Sequence, residues 1–245
     1  MATKRLLPLS LRLPKPSSLI SRKYHTPSQP SPSPFPALET AILTSSLPHI
    51  PEHGFTPTTL RLGAHAQGYI PASQNLFPQG AFALVHFHLW RQREALKSCV
   101  VVKDAGKGVG VGRKVKELTW ERLLGNREVI HRWQEALALT PLPSNLPTAL
   151  QELHALSDEI WYLAGDTSVD TSWYTKRATL STIYAATELF MTTDKSSDFK
   201  DTSQFLDRRF EDSRVLGEMV GSVGEWVGYN ARAGLNVLRS RGVRI

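Results

Sequence analysis

The feature that most constrains this chain is the period of its apolar residues. Where they recur, they recur at helical spacing. No run alternates apolar and polar residues between hairpin turns, and the β-branched residues are scattered. A chain of this kind buries helix against helix, so the expected fold class is all-α. Proline and glycine mark the helices off. A first short helix starts near Pro36 and stops before Pro48; Thr56 caps a second with Pro57 at its first position and Gly68 as its stop. Ser73 caps a third that Pro78 ends, and a longer helix runs from Gly80 through Leu84, Phe87 and Leu96. Three short helices feeding a long one is the layout of a helix-turn-helix module joined to a larger helical domain. Further helices are expected over Trp120–Leu139, Pro147–Gly165, Thr171–Met191 and Asp201–Arg214, with PLPSNLP (141–147) as a linker.

The 245 residues carry 29 Lys+Arg against 22 Asp+Glu, a net charge of +7 that would suggest nucleic acid or an anionic membrane. The excess is local. Residues 1–36 hold Lys4, Arg5, Arg12, Lys15, Arg22 and Lys23, with no acid before Glu39; the remaining chain is at +1. The same segment has eight of the 16 prolines and no uninterrupted apolar stretch, because Pro8, Arg12 and Pro14 break each candidate. A basic, acid-free start that leads into a Pro/Ser run matches a mitochondrial transit peptide and not a secretory signal. The single cysteine, Cys99, excludes an intramolecular disulfide framework, and no stretch approaches the 18 apolar residues of a membrane span.

Residues 99–117 break the helical period. VVKDAGKGVGVGRKVK has too few residues between its glycines for a P-loop and lacks the G-x-G-x-x-G of a dinucleotide site, so it is expected to be a flexible surface insertion. Its basic side chains, among them Lys103, Lys107, Arg113, Lys114 and Lys116, outnumber Asp104 and could touch anionic lipid.

Catalytic chemistry is not visible. His49 and His53 are separated by Pro51, and His86 and His88 point about 200° apart on a helix, so neither pair makes a metal site. There is no G-x-S-x-G elbow and no base beside Cys99. No metal, no cofactor and no enzymatic activity are expected. A DNA-reading role also fits poorly: between Phe55 and Trp90 the only Lys or Arg is Arg61, and a single cation releases almost no counterions.

The last helix is amphipathic. Leu216, Met219, Val220, Val223, Trp226, Val227, Val237 and Leu238 fall within an arc of about 120°, while Glu218, Glu225, Arg232 and Arg239 recur on nearly the opposite face. Gly217, Gly221, Gly224 and Gly228 lower its intrinsic stability by about 1 kcal/mol each relative to alanine. Such a helix suits the core, a dimer seam or a membrane surface. The membrane expectation, over residues 216–245, places Met219, Val223, Trp226 and Val227 in the acyl boundary.

The run GFTPTTLRLGAHAQGYIPASQNLFPQGAFALVHFHL (54–89) resembles the TetR-type helix-turn-helix. Together with DEIWYLAGDTSVDTSWYTKRATLSTIYAATELFMTTD (158–194) and DFKDTSQFLDRR (198–209), it is similar to the mitochondrial ubiquinone-biosynthesis lipid-binding family, that of the ninth coenzyme Q protein. The resemblance implies a TetR-like all-helical bundle with the module at 37–98, a lipid-binding and dimer domain at 118–215, and homodimerisation. It implies a peripheral protein on the matrix face of the mitochondrial inner membrane. Such a protein binds isoprenoid quinone precursors or phospholipid there and presents precursors to the di-iron demethoxyubiquinone hydroxylase of the ubiquinone-biosynthesis complex. The partner patch implied by the family falls on Asp170, Trp173, Tyr174 and Arg177, with Arg177 also meeting a lipid head group. Trp173 and Tyr174 are adjacent, so one helix face cannot bury both. Trp161, Leu180, Ile183, Tyr184 and Met191 are the expected lipid-pocket walls. The rival readings are a TetR-type DNA-binding regulator and a cryptic hydrolase or deaminating enzyme.

Overall fold

The computed structural model describes residues 33–99, 110–167 and 172–213. Among these there is no strand, and the chain from Ala37 onward forms one unit, all-α as expected. Helix α1 (Ala37–Ser46) is followed by the single turn α2 (Ile50–His53) and by α3 (Pro57–Ala66). Thr56 caps α3 as its sequence position predicts, its hydroxyl accepting from the Thr59 N–H at 3.4 Å. Gly68 ends it. At φ +77° it lets its own N–H reach the His65 carbonyl and the Tyr69 N–H reach that of Ala64, both at 2.9 Å.

Helix α3 lies against α1 where Gly63 has no side chain to hold them apart: a Cβ there would come within 2.7 Å of the Ile42 carbonyl oxygen. The third predicted helix is not an α-helix. Pro71–Leu76 is a short 3₁₀ segment, because six residues between Pro71 and Pro78 leave no room for α-type hydrogen bonds to accumulate. The helix-turn-helix expectation is corrected at its second helix.

Helix α4 (Phe82–Ala95) buries Phe82, Ala83, Leu84, Val85, Phe87 and His88, so it is surrounded on most sides. Helix α5 (Val111–Leu124) begins inside the stretch read as an insertion. Its buried positions Val115, Leu118, Thr119, Arg122 and Leu123 keep strict helical spacing, which the glycines just before them hide. The single helix expected over Trp120–Leu139 is broken. After α5 the chain turns at Gly125 and Asn126, continues as 3₁₀ through Arg127–Arg132, and resumes as α6 (Trp133–Leu139). The break points Asn126 inward, where the site uses it. Helices α7 (Leu146–Leu163) and α8 (Ser172–Met191) follow, and residues 200–213 form α9.

One apolar cluster joins Val115, Leu118 and Leu123 of α5, Leu156 and Ile160 of α7, Leu180, Ile183, Tyr184 and Met191 of α8, and Leu206 of α9. No described helix is long and apolar enough to cross a membrane. Residues 1–32 of the predicted import segment, Asp170, and the predicted membrane-contacting Met219, Val223, Trp226 and Val227 lie outside the described residues, as do Lys103 and Lys107.

Candidate functional site

Five helices enclose an apolar groove. Val85 and Leu89 come from α4, Trp133 and Leu137 from α6, Ala149, Leu150, Leu153 and Leu156 from α7, and Ala185 with Tyr184 from α8. Its volume is about 740 Å³, counting the mouth open to solvent. Leu150, 56% exposed, stands at that mouth. The spacing of Leu146, Ala149, Leu150 and Leu153 accounts for this wall: i, i+3, i+4 and i+7 place them on one face of α7. Glu152 also lines the groove, but its carboxylate is taken up by Arg93 Nε at 3.2 Å and His86 Nε2 at 3.5 Å.

The deep end is polar. Arg122 on α5 is 1% exposed, and its Nη1 donates to Asn126 Oδ1 at 3.0 Å. Asn126 Nδ2 donates in turn to Glu188 Oε1 at 2.9 Å, and the Tyr184 hydroxyl donates to the same oxygen at 2.9 Å. Arginine can only donate, so the Asn126 atom facing it is the oxygen. His88 Nε2, 3.0 Å from that oxygen, must therefore carry its proton and donate. Burial, reinforced by the Arg122 charge, lowers the His88 pKa to about 4, so the ring is neutral at physiological pH. Burial also raises the Glu188 carboxyl, against the pull of Arg122, and raises Tyr184 well above its usual value.

The cluster is incompletely satisfied. Arg122 Nε and Nη2 are buried and have no hydrogen-bond partner among the described residues. A buried donor left unpaired costs about 1–3 kcal/mol, more when charged. None of His88, Arg122, Asn126 or Glu188 was singled out as a binding residue from sequence, since their spacing in the chain carries no motif. The one available signal was a charged residue on the apolar face of a helix: Arg122 sits at i+4 from Leu118.

The sequence-predicted site residues fall in three places. Tyr184 lines the groove. Leu180, Ile183 and Met191 do not; they share a face of α8 with Tyr184 and belong, as it does, to the buried cluster that α8 forms with α5, α7 and α9. Trp161 is half-buried between α7 and α8, its indole N–H donating to the Lys176 carbonyl at 3.3 Å, and is not in the groove either.

The predicted partner patch is partly assembled. Tyr174 is 72% exposed and lies edge-on to Trp173 at 4.8 Å, which fits the argument that adjacent aromatics cannot share one face. Arg177 is a correction. It is 5% exposed, with its Nε on Asp158 Oδ1 at 2.6 Å and its Nη1 3.8 Å from Asp166 Oδ2. A guanidinium held between two carboxylates is not offered to a lipid head group or to a partner's surface.

Fold and groove together define the class: an all-helical protein with an apolar groove that ends on buried hydrogen-bonding groups. The COQ9 family model matches residues 146–217, which include α7, α8 and α9. The chain is 37% identical over 232 residues to the mitochondrial ubiquinone biosynthesis protein coq9 of Schizosaccharomyces pombe, covering 93% of this chain and 90% of that protein. It is 36% identical to rat COQ9 over 195 residues and 34% identical to human COQ9 over 200 residues, spanning 62% of each of those longer proteins. The chain belongs to the COQ9 family.

Proposed function

We propose that this protein is a non-catalytic accessory protein of ubiquinone biosynthesis in the mitochondrion, which holds an isoprenoid quinone precursor in the α4–α8 groove and presents it to the di-iron demethoxyubiquinone hydroxylase. Family membership supports the pathway, because the relatives are named as mitochondrial ubiquinone biosynthesis proteins. The observation that carries the lipid reading is the groove itself, with apolar walls on four helices and an open mouth at Leu150. The physical logic is solvation: a polyprenyl tail gains little by leaving a bilayer, so an enzyme acting on the head needs the tail kept in an apolar environment.

The surrounding roles follow the same reading. The protein acts as a homodimer on the matrix face of the inner membrane, with Met219, Val223, Trp226 and Val227 of the amphipathic segment entering the lipid surface. Trp173 and Tyr174, together with Asp170, meet the hydroxylase, and Arg177 serves behind Trp173 as its support. Nucleic acid is not a partner in this reading: the described helix-turn-helix region has Arg61 as its one Lys or Arg, and its Nη2 donates to Thr58 within α3.

Native mass spectrometry of the purified full chain, followed by lipid extraction, tests the reading. An isoprenoid quinone or precursor should co-purify at up to one per protomer, and Leu150→Trp, which fills the mouth, should remove it without unfolding the protein. Lipid retained in full by folded Leu150→Trp would place the ligand outside this groove.

A further inference from the structure

The deep end of the groove is chemically specific in a way its walls are not. The two unpartnered donors of Arg122, Nε and Nη2, lie on the same edge of the guanidinium, where their N–H bonds run parallel. The third nitrogen, Nη1, is already committed to Asn126. The free edge therefore forms a two-pronged fork on a side chain that is buried and that lines the groove. We propose that this fork binds a neutral oxygen acceptor, a carbonyl or ether oxygen on a ring, so that the ligand enters the groove head first with its apolar tail running out past Leu150. The proposal rests on the lipid-binding reading of the groove and goes beyond it by assigning the end that enters, its chemistry and the residue that reads it.

The neighbours favour a neutral acceptor over an anion. Glu188 shares Asn126 and Tyr184 with this cluster, so the site already holds a carboxyl against the Arg122 charge. A phosphate or carboxylate brought to the same buried end would lose its water and add a second negative group beside Glu188. A ring carbonyl loses less water and still fills both donors. A plain hydrocarbon would fit the walls and leave the fork empty. Arg177, the residue expected from sequence to meet a head group, is occupied by Asp158 and Asp166, which leaves Arg122, among the described residues, as the buried arginine with donors to spare.

The test uses the full chain and three probes with similar ten-carbon chains: decylubiquinone, decylbenzene and decanoate. Calorimetric titration should show decylubiquinone binding about tenfold or more tighter than decylbenzene, the scale of hydrogen bonds to a charged donor, and tighter than decanoate. Arg122→Met should erase that preference while leaving decylbenzene affinity within about twofold, by the same conversion. Arg122→Met with Glu188→Gln keeps the cluster neutral if the single variant fails to fold, and circular dichroism checks both. Should both variants unfold, the wild-type ranking of the three probes decides. A quinone preference that survives in a folded Arg122 variant overturns the proposal, as does decanoate binding most tightly. Equal binding of decylubiquinone and decylbenzene to wild type overturns it while leaving the groove reading intact. If no probe binds wild type, the groove reading fails and the proposal falls with it.

Discussion

The Arg177 guanidinium lies 3.8 Å from the centroid of the Trp173 ring, one helical turn away on α8, and its Nη1 donates to the Trp173 carbonyl at 3.4 Å. The arginine is thus a floor beneath the aromatic. Its charge is spent on Asp158 and Asp166, and its flat face holds Trp173 in place. Tyr174 then packs edge-on against Trp173 and stands out from the surface. A motif of adjacent aromatics followed by arginine divides into one anchor, one support and one exposed group.

This division separates two mutants that sequence alone would treat alike. Arg177→Ala should destabilise the protein by about 3 kcal/mol, because it removes a buried guanidinium, leaves the half-buried Asp166 without one of its cations and undercuts Trp173. Tyr174→Ala should change stability by less than about 0.5 kcal/mol, as exposed substitutions usually do, yet reduce capture of the hydroxylase. Urea unfolding and pull-down on the two variants check both halves. If Tyr174→Ala folds and captures the hydroxylase at wild-type level, the exposed patch is not the docking surface.

Much of the fold was legible in the sequence, and the reasons are local. The Thr56 cap, Pro57 at the first helical turn and the Gly68 stop each act through a hydrogen bond or a backbone angle that the residue type fixes within a few positions. The errors came where the deciding partner is far along the chain. The turn at Asn126 exists because Arg122, His88 and Glu188 meet there, and Glu188 is 62 residues away. On α8 the predicted walls Leu180, Ile183, Tyr184 and Met191 are regularly spaced and all belong to the buried cluster, yet only Tyr184 also lines the groove. Only the packing of neighbouring helices, with Trp133 and Leu137 of α6 beside Tyr184, tells a groove wall from a core residue.

Asp194 offers a test of how α9 is anchored. Burial opposes ionisation, but bonds from the Thr202 hydroxyl and N–H and from the Ser196 N–H hold its pKa down to about 2. Those bonds span Asp198 and Phe199, which are both held at positive φ, +54° and +55°. A depressed carboxyl stabilises the fold above its unfolded pKa of 3.8 and loses that contribution as pH falls toward about 2. Asp194→Asn should remove this acid-limb dependence and raise amide exchange at the start of α9. Unchanged exchange at Thr202 would show that the clamp does not hold the helix.

The contact of α1 with α3 depends on a missing methyl group. Gly63→Ala would place a Cβ 2.7 Å from the Ile42 carbonyl oxygen, and backbone cannot swing aside as a side chain can. The two helices must separate, with a cost of about 1–3 kcal/mol, typical of overpacking. Ala64→Gly, at the next position, adds no atoms and serves as the control. A Gly63→Ala protein as stable as wild type in urea would mean that α1 is not fixed against α3.

The buried histidine makes stability depend on pH on the acid side of neutrality. His88 is held neutral in the folded protein with a pKa of about 4, against 6.5 when unfolded. Between those values the unfolded chain binds a proton that the folded one refuses, so stability is full above pH 6.5 and declines as pH falls toward 4. Two and a half pKa units correspond to about 3 kcal/mol over the whole window. His88→Gln keeps a donor that can reach Asn126 Oδ1 at the place of Nε2 and cannot titrate. The variant should therefore be somewhat less stable at pH 7.5, from imperfect packing against Trp133, whose ring lies 5.0 Å from that of His88. Its stability should fall less steeply with acid, and the two curves should converge or cross before pH 5. Urea unfolding at half-unit steps from pH 7.5 to 5 measures the difference in slope. Parallel curves for wild type and His88→Gln would show that the histidine accepts a proton in the folded state, and that the polar end of the groove is open enough to water to admit a charge.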